Sequence, residues 1–196
     1  MLKKLLKISN MKKFLEIIVI SLFILGNVGA EERETELNNL FKQLKNSQIT
    51  KAVEIENKIW KIWSTHPSND MEGQKLTKLL DRGSLLINKR KLNKAYEIFT
   101  QIINIDPNWS EAWNKRALVL YLMKRHKSSL NDIKKTLSLE PRHFGALSGR
   151  ALNYIELKEY EKAIKSYKQA QKIYPVIEGA KKMIPQLQEL INEQAV

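Results

Sequence analysis

Cysteine is absent from this 196-residue chain, and glycine and proline are sparse at seven and five residues. Without thiols there is no disulfide framework, no thiolate metal site, no cysteine nucleophile and no lipid attachment through a leader's cysteine. With so few turn-formers there is little room for β-hairpins or long loops. Histidine is also scarce: His66, His126 and His143 fall in expected inter-helix turns with no paired base, nucleophile or ligand spacing. No glycine-rich phosphate loop and no HExxH pattern occur, so no catalytic residue is assigned and neither cofactor nor metal is expected. What the chain does have is 43% hydrophobic and 28% charged residues, a globular balance that at this length suggests one helical domain.

Lysine dominates the charge, giving a formal +13. Residues 1–30 carry five lysines and one glutamate, so removing them leaves 29 basic and 20 acidic residues, a formal +9. Residues 31–75 are balanced at seven basic and eight acidic, which concentrates about +10 on the remainder. The lysines are scattered, and no recognition helix, RNA-binding motif or zinc spacing accompanies them. A solvated surface is the favoured reading; the alternatives are peripheral contact with anionic membrane or with acidic peptides, and nucleic acid is not expected as a partner.

The front of the chain is ordered like a secretory leader. Lys3, Lys4, Lys7, Lys12 and Lys13 precede the apolar run Phe14–Leu25, and small residues ending at Ala30 precede Glu31. Residues 1–30 are read as a signal peptide, with Met11 as an alternative start, and the protein as exported to the periplasm. The competing reading is an uncleaved inner-membrane anchor through residues 14–25, although a span needs roughly 20 residues.

Periodicity organises the rest. Pro107, Pro141 and Pro175 stand 34 residues apart, with Gly83, Ala117 and Ala151 lying 24 before each, and Ala95, Ser129 and Ala163 lying 12 before. Small residues at these slots let two helices cross closely. Leu79, Trp113 and Leu147, then Leu86, Leu120 and Tyr154, then Phe99, Ile133 and Tyr167 fill the larger slots. A period of this length marks a stacked array of helical hairpins.

These residues resemble the tetratricopeptide repeat (TPR) family over about residues 76–175. The patterns Trp113–Ala117 and Pro141–Gly149 are similar to those of small exported alphaproteobacterial members. The resemblance implies an all-α solenoid of three repeats over 70–175 that works as a protein-interaction module of the bacterial envelope. It also implies a ligand groove on the first helices of the hairpins. By phase, the groove positions are Thr77, Leu80, Ser84 and Ile87; Glu111, Asn114, Leu118 and Tyr121; and Gly145, Ser148, Leu152 and Ile155. Members that clamp an acidic peptide C-terminus carry Lys and Asn where this chain has Leu80 and Ser84, Asn where it has Lys115, and Lys and Arg where it has Gly145 and Gly149, so a clamp is not expected. A peptide or helix held through apolar side chains is expected instead, its identity open. The alternative is a membrane-surface basic scaffold.

Three features sit outside that scheme. Residues 31–69 read as a helical pair, with Leu37, Leu40, Phe41 and Leu44 on one stripe and Ile55, Ile59, Trp60, Ile62 and Trp63 on the next. The pair is either a degenerate repeat or a separate cap, and it either leaves the groove free or covers it; Trp60 and Trp63 are read as core. Residues 176–196 read as a capping helix in which Pro185 should kink the helix or start its second part. Arg82, Arg116 and Arg150 repeat in phase, read as structural stems or as anion contacts.

Overall fold

The computed structural model describes Gly29 and residues 31–194, and among them all regular structure is helical. The expected leader and the alternative anchor through residues 14–25 therefore lie outside the described residues. A first helix, α1, is described over 31–45, followed by α2 (Ile49–Ser64), α3 (Met71–Asn88), α4 (Leu92–Ile105), α5 (Ser110–Leu122), α6 (His126–Leu139), α7 (Phe144–Glu156), α8 (Tyr160–Ile173) and α9 (Glu178–Gln194). No described helix is long and apolar enough to cross a membrane.

The hairpins are α3–α4, α5–α6 and α7–α8, and the small in-phase residues lie where each pair crosses. Ala95, Ser129, Ala151 and Ala163 are wholly buried, and Ala117 nearly so. At Gly83 a Cβ would stand 2.6 Å from the ring of Phe99, so the first hairpin tolerates no side chain there. Ser129 also donates its hydroxyl to the Ala117 carbonyl at 2.8 Å, tying α6 to α5.

A second set of positions packs hairpin on hairpin. Ala112, Ala146 and Ala180 are fully buried at one phase, and Val119, Asn153 and Leu187 at another. Position 78 is lysine and exposed in that first phase, and Leu85, the phase mate of Val119, is 58% exposed. The first hairpin thus ends the stack on one side, its outer face largely uncovered. At the other end α9 presents Ala180 and Leu187 inward, while Lys181, Pro185 and Gln188, which hold the slots facing a hairpin's second helix, are all exposed. Among the described residues α9 is therefore a first-type helix with no second helix against it, and Pro185 lies inside it at the crossing slot.

Each hairpin turns through one residue with positive φ: Arg90 (56°), Lys124 (58°) and Lys158 (59°), again 34 apart. The amides of Arg90, Lys124 and Lys158 bond back to Ile87, Tyr121 and Ile155, and those of Lys91, Arg125 and Glu159 to Leu86, Leu120 and Tyr154. This paired closure at a left-handed residue satisfies the last carbonyls of each first helix. Asp70 caps α3 by accepting from the Gly73 amide at 2.7 Å, as its place after Pro67 suggests.

α1 and α2 pack as an antiparallel pair, the Arg33 guanidinium donating to the Ile62 carbonyl at 2.5 Å. Their shared apolar face (Leu37, Leu40, Phe41 and Leu44 with Ile55, Ile59 and Trp63) also takes in Phe144 and Tyr174. The pair thus sits against the turns that open α7 and follow α8. Arg142 fastens it there, bonding Glu34 and Asn38 of α1 as well as its neighbour Glu140.

Candidate functional site

The concave side of α5 and α7 holds a cleft of about 250 Å³. Its walls are Leu118 and Leu152, which stay 42% and 37% exposed although they face each other's helix. They share one phase, so the fold sets two leucines side by side. Ala117 and Ile133 form the apolar floor, with Ser129 and Asn153 beside them. Asn153 holds the floor together, donating to Ser129 Oγ at 3.0 Å and to the Gly149 carbonyl at 2.8 Å.

One end of the cleft is closed by Trp60 of α2. Gly145 makes this approach feasible, since a Cβ there would lie 2.5 Å from the Trp60 ring. The glycine is required by close approach, its φ being ordinary. At the other end the Tyr121 hydroxyl faces Glu156 Oε1 at 3.4 Å, and burial followed by that carboxylate pushes the Tyr121 phenol above its usual range.

Behind Trp60 lies a buried polar cluster. Glu111 is wholly buried; its Oε2 lies 2.9 Å from His143 Nε2 and accepts from Asn114 Nδ2 at 3.0 Å, and its Oε1 stands 3.2 Å from Lys115 Nζ. His143 Nδ1 accepts the Ala146 amide at 3.1 Å, capping α7, which leaves Nε2 to donate to Glu111. Trp63 stacks on this imidazole at 4.0 Å and 11°. Burial pushes the Glu111 carboxyl up, but the His143 hydrogen bond and the Lys115 charge outweigh it, and the net direction is down. Lys115, with its ammonium 5.7 Å over the Trp60 ring, is therefore engaged and not a free clamp.

Of the expected groove positions, Asn114, Leu118, Tyr121, Gly145, Ser148 and Leu152 meet in this one cleft. The others do not. Leu80 is 1% exposed in the first hairpin's core, and Glu111 is sealed beneath α2, so as groove contacts both are corrected: neither offers surface to a ligand. Thr77 accepts the His66 amide and Ser84 donates to the Leu80 carbonyl, both outside the cleft. Ile87 packs on the first core and Ile155 on the last. The N-terminal pair thus covers the opening turns of α5 and α7 and leaves their later turns bare. Trp60 is half-buried and serves both the core and the cleft, whereas Trp63 is core alone.

In the arginine ladder, two of the three rungs follow the structural reading and offer no free anion contact. Arg116 grips Asp132 with two bonds of 2.7 and 2.9 Å and lies 4.8 Å over Trp113. Burial opposes its charge, but Asp132 prevails and the guanidinium is held above its ordinary value. Arg150 bonds Ser166 and Gln169, neutral partners that leave burial to pull it down. Both cross their own hairpin and are engaged; Arg82 alone stays exposed.

No group of three metal-ligating side chains occurs among the described residues. The His143–Glu111 pair was invisible to spacing rules because its members lie 32 residues apart on different hairpins.

Comparison with known proteins agrees with this geometry. Residues 79–108 and 144–175 each match a family model described as tetratricopeptide repeat. A TPR repeat-containing protein of Rhizobium etli is 30% identical over 170 residues, spanning 83% of this chain and 81% of its own length. Among solved structures, the first TPR of Spaghetti (RPAP3) bound to the HSP90 peptide SRMEEVD superposes with TM-score 0.59 at 20% identity, covering 61% of this chain and 94% of that one. MamA superposes with TM-score 0.57 at 20% identity, covering 72% and 77%. With its 34-residue step, buried crossing residues and extensive likeness to the Rhizobium protein, the chain belongs to the tetratricopeptide repeat family.

Proposed function

We propose that this chain is a non-catalytic protein-interaction module that holds a peptide or helix by an uncharged apolar side chain set between Leu118 and Leu152. The observation that carries the reading is the exposure of those two leucines within a concave cleft, since apolar walls in a recess are the usual anchor for a partner's side chain. The cleft is also electrically quiet. Its cation, Lys115, faces a carboxylate of its own chain, which disfavours an acidic terminus as ligand. The RPAP3 domain with its HSP90 peptide and the yeast Sti1 domain with its Hsp70 complex bind peptides on the same fold, which supports peptide binding as the type of activity. The partner here is of different chemistry.

The order of charge, apolar run and small residues in 1–30 supports export to the bacterial envelope. Sequencing the N-terminus of the protein recovered from a periplasmic fraction tests it; an intact residue 1 in the membrane fraction would favour the anchored scaffold. The binding reading is tested by affinity capture from envelope extract with the wild type, the Leu118→Glu/Leu152→Glu double variant and an Ile105→Glu control, Ile105 being exposed elsewhere. A discrete partner should be lost with the double variant only. Equal capture by all three proteins refutes the cleft.

A further inference from the structure

The three arginines at one phase are treated differently by their hairpins, and the difference singles out the first. In the second hairpin Asp132 of α6 closes on Arg116; in the third, Ser166 and Gln169 of α8 close on Arg150. The matching residues of α4 are Ile98 and Gln101. Isoleucine cannot accept a hydrogen bond, and Gln101 makes none with Arg82. Among the described residues the Arg82 guanidinium has no hydrogen-bond or ion-pair partner. The groove that its phase mates fill is open here, with a volume of about 400 Å³.

Its lining is chemically lopsided. Leu79, Leu86 and Ile98 form a half-buried apolar floor, and Arg82, Lys91 and Lys94 stand on the rim against one carboxylate, Glu97. Neither other hairpin repeats this charge at the rim: position 125 is Arg but 128 is Ser, and position 159 is Glu. A recessed apolar floor with a cationic rim complements a segment that carries carboxylates beside an apolar side chain.

We propose that the groove between α3 and α4 docks an acidic peptide segment of a partner protein, one of whose carboxylates takes the place before Arg82 that Asp132 takes before Arg116. The site is separate from the concave cleft, and neither depends on the other. A peptide suits it better than a membrane surface because the apolar residues lie at the bottom of a groove between helices, out of reach of a flat interface.

The test uses the full-length chain and a fluorescently labelled synthetic peptide of alternating Glu and Leu, with its Gln-for-Glu counterpart as control, read by anisotropy at low salt. The Glu peptide should bind more tightly than the Gln peptide, and added salt should remove the difference. Arg82→Gln should lower affinity about tenfold. Ile98→Asp supplies the internal carboxylate that the second hairpin has and should also abolish binding; circular dichroism and the melting midpoint of both variants establish that they fold. Val53→Glu, exposed on α2 away from both sites, should bind the Glu peptide like wild type, and envelope capture by the Arg82→Gln variant should persist, which separates failure of this site from failure of the cleft. Unchanged affinity in Arg82→Gln or in folded Ile98→Asp overturns the proposal. So does absence of peptide binding where vesicles of equal phosphatidylglycerol and phosphatidylcholine bind through Arg82.

Discussion

At Lys124 and Lys158 the backbone adopts a left-handed turn that a lysine side chain opposes. A Cβ in this region meets the following carbonyl, at a cost of about 1–2 kcal/mol, which glycine escapes. Glycine loses more entropy on folding, so the net gain from Lys124→Gly or Lys158→Gly should be about 1 kcal/mol. Urea unfolding should show it as a higher midpoint at unchanged slope. A second residue-scale expectation concerns Glu111. Its carboxyl is held below the ordinary range, so the folded chain takes up that proton less readily than the unfolded one. The stability it supplies is present above the unfolded value, about 4.3, and is lost as pH falls through the lower folded value. Glu111→Gln should cost about 1–3 kcal/mol at neutral pH, with the gap to wild type closing in acid, as followed by unfolding curves across pH. Neither feature was equally legible. The turn residues recur every 34 positions, yet their strain shows only in φ. Glu111 and His143 have phase mates of unrelated chemistry (Thr77 and Gly145; Trp109 and Ile177), so their contact left no periodic trace.

Among the elements, the hairpins were readable because their packing is written three times over. Ala117, Ser129, Ala151 and Ala163 repeat the same crossing, and the cleft leucines Leu118 and Leu152 follow from phase alone. α1 and α2 occur once, so their stripes announced two amphipathic helices but not the surface they would cover. That surface proved to be the openings of α7 and of the turn after α8, where the Tyr174 hydroxyl donates to Glu56 of α2 at 3.0 Å. Burial, then Glu56, pushes this phenol up to about 12. The folded state therefore holds the proton longer, and the stability gained is present below the unfolded tyrosine value of about 10 and lost as pH rises toward 12. Tyr174→Phe should remove phenolate absorbance that develops near pH 12, and should lessen the alkaline weakening of the α1–α2 pair. Absorbance lost near pH 10 instead of near 12 would show that Tyr174 ionises in the ordinary tyrosine range.

Across the whole molecule the same phase has opposite fates at the two ends of the stack. Leu187 is buried against α8's hairpin, while Leu85 meets no preceding hairpin among the described residues. Leu85→Glu should alter stability by no more than about 0.5 kcal/mol, whereas Leu187→Glu, which buries an unpaired carboxylate, should cost more than about 3 kcal/mol by the same melting measurement. Pro185 carries this asymmetry into how the array can be lengthened. A ring at the crossing slot, with no amide hydrogen, bars a second helix from nesting against α9 as α4, α6 and α8 nest against theirs. Duplicating a hairpin is therefore compatible with this architecture only when the copy enters ahead of Glu178; appended behind α9, it would find no seat.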